Sequence, residues 1–382
     1  MSQTKVEAPF VEGGAGSSFK NLVINGDFRV FQRASGSTAI GNGTYSTADR
    51  YKTNFSNDGA GTTQQYTLTD SERATTGHRH AWQWDVGTAD TSLAAGQLAY
   101  FRHFIEAQNC AGLAYGSSAA KTLTLSFWVK SSKTGTYCCT IEKHDSTTYN
   151  LPLEYTISSA DTWEFKTLVV SPTAGSTSFI TGSNGDIVED NGKGITLYWW
   201  LAAGSDYTGG TNNTWSSNTN HLTTTNQVNW LDSTSNNFYI TGIQFEVGDQ
   251  ATDFEHLPFD IQLQRCMRYY QKIADASHGG AGDAISGGTH YSGTAIYLTT
   301  IFHVPMRAEP SMSVSGGTNY FIRYSNGGNG QFDSFAIDDS ASPHLFEFYA
   351  SSGQNHSGGT AGHGCFVRTN NSAAKIAADA EL

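Results

Sequence analysis

Along most of the chain, apolar and polar residues alternate with period two. In 122–132, Leu123, Leu125, Phe127 and Val129 fall on one side, and Thr122, Thr124, Ser126, Trp128 and Lys130 on the other. Successive side chains of a strand point to opposite faces, so this segment predicts a strand with one buried face. Segment 80–86 does the same with His80, Trp82, Trp84 and Val86. Further strands are predicted over 98–105, 136–142, 163–171, 195–204 and 237–248, separated by Gly, Asn, Ser and Asp turns. Residues 21–28, NLVINGDF, read as strand, tight turn, strand, because Asn25 and Gly26 both tolerate positive φ. Many short strands joined by such turns predict an antiparallel sandwich.

Two stretches break the alternation. Of the 34 residues in 204–237, 24 are Gly, Ser, Thr or Asn, yet the segment carries Tyr207, Trp215, His221 and Trp230. A disordered segment is poor in aromatics, so these rings predict that part of the loop is ordered. In 258–275, Phe259, Leu263, Cys266, Tyr270 and Ile273 follow a 4-3-4-3 spacing, which predicts a helix opened by Pro258 or Asp260. It runs into the Gly-rich HGGAGD of 278–283. Strands resume over 294–304, 311–315, 319–325, 332–338, 344–351 and 364–370. The predicted fold is mainly β. A flexible arm (1–18) leads to an antiparallel sandwich (19–257). A linking helix and linker (258–283) then lead to a second, smaller β-sandwich domain (284–382).

Composition narrows the function. Hydrophobic residues make up 38% of the 382, enough for a core, and charged residues only 15%. The net charge of −12, with no basic run, argues against a nucleic-acid partner. No apolar run approaches the ~20 residues of a spanning helix, which argues against membrane insertion. The first residues lack the basic start and apolar stretch of a secretory signal. The five cysteines, at 110, 138, 139, 266 and 365, form no CxxC pair. They read as buried small hydrophobes, with Cys138 and Cys139 on opposite faces of one strand.

Motifs that carry reaction chemistry are few in the sequence. GDIVEDNGKGI (185–195) fails the phosphate-loop spacing, and no GxGxxG or GxSxG is present. HRH (78–80) lacks metal-helix spacing, and His356 and His363 read as solvated residues of a Gly-rich loop. The acids Asp186, Glu189, Asp190, Asp206 and Asp232 are the candidates for a glycosidase pair, with surface acids as the default. No cofactor, metal site or catalytic residue is assigned, and the chain reads as a non-enzyme. Tyr207, Trp215, His221 and Trp230 are the candidate glycan-binding residues, since rings cover the apolar faces of sugars and neighbouring Asn and Thr bond hydroxyls. Trp199 and Trp200 are adjacent on a strand, so one of them is expected to face outward.

Asn25, Gly26, Asp27 and Phe28, then Gln32 and Arg33, then Asp49, Arg50 and Tyr51 resemble the opening of a carbohydrate-binding-like domain of bacteriophage structural proteins. FYITGIQFEVGDQATDFEHLPFDIQLQRCMRYYQK (238–272) resembles the close of the same domain. FHVPMRAEPSMSV (302–314) and AADAEL (377–382) look like phage tail-fibre-like chains. The resemblance implies a virion protein of the tail-fibre or receptor-binding type. It implies a homotrimer at the particle surface, docked on other virion proteins through its N-terminal arm and recognising a host surface polysaccharide. The alternatives are a capsid or tail decoration protein without a receptor role, an enzyme cleaving capsular sugar, and a bacterial sugar-binding module. The opening is also similar to the jelly-roll carbohydrate-binding modules of glycosidases, in which an acidic residue after the Phe and an Asp pair near the last strand help bind a structural calcium. Here Arg29 stands there instead. Gln32, Arg33, Asp49 and Arg50 are expected to form a polar network that pins the first strand.

Overall fold

The computed structural model describes residues 20–276, 282–338 and 342–382. The expected N-terminal arm and most of the Gly-rich linker lie outside them. Two compact units divide the chain, Met1–Pro258 and Phe259–Leu382.

The first unit is an antiparallel sandwich of the jelly-roll type. Its strands are β1 (Thr38–Ala39), β2 (Tyr51–Ser56), β3 (Ala60–Thr67), β4 (His80–Thr88), β5 (Leu98–Glu106), β6 (Leu123–Ser131), β7 (Gly135–Lys143), β8 (Tyr149–Ile157), β9 (Glu164–Val170), β10 (Lys193–Ala203) and β11 (Asn237–Val247). A short helix, α1 (Asp70–Thr76), precedes β4. One sheet has the order β1-β3-β4-β11-β6-β9, the other β2-β5-β10-β7-β8. The alternating positions do what their spacing predicts. Leu123, Leu125, Phe127 and Val129 of β6 are fully buried, as are Trp82 and Trp84 of β4. Between the sheets, Trp199 stacks on Phe101 at 5.2 Å, and Trp82 meets Trp84 edge-on at 5.0 Å. Cys139 joins this core, while Cys138 lies on the other face of β7.

The second unit opens with α2 (Phe259–Met267) and β12 (Tyr270–Ala274). Then come β13 (Ala284–His290), β14 (Ile296–Ile301), β15 (Ser311–Val314), β16 (Phe321–Ser325), β17 (Gly328–Phe332), β18 (Ala336–Ile337), β19 (Leu345–Ala350), β20 (Gly364–Thr369) and β21 (Ile376–Asp379). A three-stranded sheet, β12-β21-β15, and a seven-stranded sheet, β17-β16-β20-β13-β14-β19-β18, enclose Phe321, Phe332, Phe346, Phe348, Leu298, Val367 and Ile376.

Three expectations are corrected. The helix stops at Met267, and residues 270–274 pair with β21, so Tyr270 and Ile273 belong to a strand. The helix buries Gln262 and Cys266, whereas Phe259 is 48% exposed. Residues 21–28 form bends and a turn, not strands. Asn25 (φ 63°) holds them: its amide accepts from the backbone N–H groups of Arg29 and Val30 and donates to the carbonyls of Val30 and Asp49. Of the expected polar network, the link between Gln32 and Asp49 is present beside it. Asp49 accepts from the Gln32 backbone at 2.9 Å and from its side chain, and Arg50 donates to the Phe104 carbonyl at 2.7 Å. Finally, His356 is 1% exposed, with Nδ1 3.0 Å from the Thr294 carbonyl oxygen, so it is not a solvated loop residue.

Candidate functional site

The loop after β10 is ordered and lies over the outward face of the five-stranded sheet. Tyr100, Cys138, Tyr198 and Trp200 point outward there and are buried beneath Tyr207 and Leu222. Trp200 donates from Nε1 to the Thr140 hydroxyl at 2.9 Å and meets the Tyr207 ring at 5.7 Å. The edge strand β8 is bridged by Ser216, which exchanges two backbone hydrogen bonds with Asn150. This loop does not gather the four expected residues into one site. Trp215 is 1% exposed and donates to the Ser171 carbonyl at 2.9 Å, and Trp230 is fully buried in the inter-sheet core. A ring that stacks on a sugar needs an accessible face, so Trp215 and Trp230 serve as anchors. Tyr207 and His221 remain half-buried at the loop surface, bridged through Thr208.

A cavity lies instead on the outward face of the six-stranded sheet. Its volume is about 420 Å³, and its walls include Trp128 of β6, Phe165 of β9, His78 and the segment Ala251–Phe254 with His256. Trp128 and Phe165 are cross-strand partners with centroids 5.2 Å apart. The alternation that buries Phe127 and Val129 turns Trp128 outward, and Phe165 is 46% exposed. The floor depends on a bulge in β11 between Thr241 and Gln244. Gly242 sits there at φ 63°, and a Cβ on it would lie 2.3 Å from His78 Nε2. Only glycine fits both the backbone and the imidazole. Gly26 closes on the same bulge, with its carbonyl 2.9 Å from the Ile243 N–H.

The rim is held by residues of the closing motif. Glu246 accepts from the Thr252 N–H at 2.9 Å and its hydroxyl at 2.6 Å. Gln244 accepts from the Glu255 N–H at 2.8 Å, and Glu255 in turn accepts from the backbones of Lys20 and Asn21. The clamp leaves the Asp253 carboxylate exposed at the mouth. His78 is buried with Nδ1 unpartnered, and Phe254 meets it edge-on at 4.7 Å. Burial, reinforced by the neighbouring His256, pushes its pKa down to about 4. It is therefore neutral at physiological pH and offers one donor and one acceptor.

Beyond the cavity, the same sheet face continues as Tyr66, Tyr239, Trp163 and Lys130. Glu72 of α1 takes the Lys130 ammonium at 2.6 Å and the Trp163 N–H at 3.1 Å. Burial pushes this carboxyl up, but those donors outweigh it and hold it at about 2. None of Asp186, Glu189, Asp190, Asp206 and Asp232 lines the cavity, where Asp253 is the single carboxylate. Among the described residues no three His, Cys, Asp or Glu side chains gather to hold a metal ion.

No family model matches the chain, and no curated protein does. Solved structures do. The family 11 carbohydrate-binding module of a Clostridium thermocellum cellulosomal cellulase matches at 11% identity and TM-score 0.25, over 58% of this chain and 99% of that one. The N-terminal tandem of two family 22 carbohydrate-binding modules from Paenibacillus barcinonensis matches at 9% and 0.29, over 97% and 100%. The enzymatically active domain of tailspike protein 4 of bacteriophage CBA120 matches at 14% and 0.27, over 61% of this chain and 22% of that one. At these scores the likenesses carry no weight for function, which rests on the cavity.

Proposed function

We propose that the protein recognises a host surface glycan as part of a phage particle, holding the sugar in the cavity of the six-stranded sheet. The carrying observation is the pairing of Trp128 and Phe165 along one wall with Ser126, His78, Thr252 and Asp253 around it. Aromatic rings cover the C–H faces of a pyranose, and the polar groups select its hydroxyls. The volume lies in the usual range of roughly 300–1,000 Å³ for small-ligand sites. A single carboxylate supports binding without cleavage, since glycoside hydrolysis ordinarily uses two, roughly 5–9.5 Å apart. The virion placement and the trimer are supported by the four sequence segments that resemble phage structural chains, in the order found there.

The test is retention of the purified chain on host cells and on polysaccharide extracted from them. Phe165→Ala is expected to weaken binding at least tenfold while stability changes by less than about 1 kcal/mol. Undiminished binding removes the cavity from the reading. Labelling of intact particles with an antibody to the chain tests the virion placement. A signal at capsid lattice points, with no glycan retention, favours the decoration role.

A further inference from the structure

The second unit presents a different surface. On the outward face of its seven-stranded sheet, Tyr324 of β16 and Phe366 of β20 are cross-strand partners. Their rings stack with centroids 4.9 Å apart and planes 12° from parallel. Phe366 is 44% exposed. Its other flank is Gly287 of β13, which has no side chain to cover the ring. A Cβ at Gly287 would find its nearest neighbour at 3.7 Å, so the glycine leaves room and is not forced by crowding. Beside the rings lies an open hollow of about 750 Å³, walled by the hairpin Ser325–Asn329 with Gly364 and Cys365. Asn326 and Gly327 form its tight turn at φ 50° and 74°. The walls bring two amides and a hydroxyl, and no carboxylate, in a chain of net charge −12.

Arg368 completes the arrangement. Its guanidinium lies over Phe366 at 5.3 Å and over Tyr324 at 5.9 Å. The side chain is exposed, and the guanidinium makes no hydrogen bond or ion pair with the described residues. The rings fix its plane by cation–π attraction while leaving its donors open. A planar guanidinium with free donors matches a carboxylate in bidentate fashion.

We propose that Tyr324, Phe366 and Arg368 form a second binding site, for an acidic saccharide of the uronate class. The carboxylate pairs with Arg368, the sugar's C–H face lies on Phe366 over the gap left by Gly287, and Asn326 and Asn329 bond hydroxyls. The site stands independently of the first unit's cavity and rests on none of its residues.

The test titrates the full chain with a glucuronate-containing oligosaccharide and with the same oligosaccharide after carboxyl reduction. The acidic form is expected to bind at least tenfold more tightly, with the gap shrinking as salt rises. Arg368→Gln and Phe366→Ala are each expected to cost at least tenfold. Gly287→Leu, which fills the flank, is expected to do the same while the unfolding midpoint stays put. Phe165→Ala, in the first unit, is expected to leave this binding intact. Equal binding of the reduced sugar, or acidic binding that survives Arg368→Gln, overturns the proposal. If binding vanishes with Phe165→Ala and not with Arg368→Gln, this site fails while the cavity reading stands.

Discussion

The two outward faces of the first unit contrast sharply. Both carry aromatic side chains on alternate strand positions. On the five-stranded sheet, Tyr100, Tyr198 and Trp200 lie under a loop that the chain itself supplies. On the six-stranded sheet, Trp128, Phe165 and Tyr239 keep access to solvent. Energetics explain the cover. Ordering each loop residue costs roughly 1–2 kcal/mol. A loop made largely of Gly, Ser, Thr and Asn has little apolar area to offset that. Burying a large ring, at about 25 cal/mol per Å² over some 150–250 Å², contributes roughly 4–6 kcal/mol. Trp215 and Trp230 therefore offset part of that cost, beside the backbone hydrogen bonds that tie the loop to β7 and β8. Large rings in a polar loop mark its anchors, whereas a ring opposite the core positions of a strand marks a surface.

The largest effect should come from removing an anchor. Trp230→Ala is expected to destabilise the first unit by about 3–5 kcal/mol, read from denaturant unfolding followed by circular dichroism. A midpoint close to the parent's, combined with lost sugar binding, would make Trp230 a ligand platform and dissolve the contrast.

The next effect concerns the floor of the open face. His78 titrates near pH 4 in the fold and near 6.5 when unfolded. The unfolded chain therefore takes up its proton first. The stability contributed by the neutral imidazole is full above pH 6.5 and is lost as pH falls toward 4. A shift of this size corresponds to about 3 kcal/mol at the acid end. Unfolding measured between pH 7 and 4 should show this slope in the parent and a flatter one in His78→Gln. Equal slopes would mean that the imidazole is not held neutral beneath Gly242.

Much of the architecture was legible because alternation is local. Leu123 to Val129 could be sorted from spacing alone. The misses have physical causes. Strand β8 contains Pro152, which breaks a strand pattern but is tolerated at an edge, where β8 lies. Helix α1 has no apolar stripe, yet Thr69 and Glu72 carried the capping-box signal, and Gly77 closes the helix at φ 77°. Asn25 does adopt a positive φ, but the chain there is held by its side chain and makes no strand ladder. The cavity was the least legible feature. It joins β6, β9, the bulge at Gly242 and the segment after β11, a convergence that spacing does not encode. The one available signal was Trp128, on the face opposite Leu125 and Phe127.

A smaller effect sharpens the contrast from the open side. Phe165→Ala is expected to change stability by less than about 1 kcal/mol, because nearly half of the residue's surface is already in water. Its affinity loss of at least tenfold corresponds to about 1.4 kcal/mol or more. Stability and binding thus separate at Phe165 and coincide at Trp230, which calorimetry of the two variants side by side can establish. A Phe165→Ala variant that melts as early as Trp230→Ala would mean that both faces are structural.

The smallest effect tests how far the open surface extends. Thr69 caps α1, accepting from the Glu72 N–H at 3.3 Å while the Glu72 carboxylate accepts from the Thr69 N–H at 2.9 Å. That carboxylate also holds Lys130 and Trp163 against the sheet. Thr69→Ala removes one half of the cap and is expected to cost about 1 kcal/mol. Glu72→Ala removes the other half, so the double variant should lose less than the sum, because both changes break the same reciprocal pair. Glycan affinity should stay within about twofold, a shift of some 0.4 kcal/mol, since neither residue lines the cavity. A larger affinity loss in Thr69→Ala would make the platform of Tyr66, Tyr239 and Lys130 part of the same binding surface, with α1 as its support.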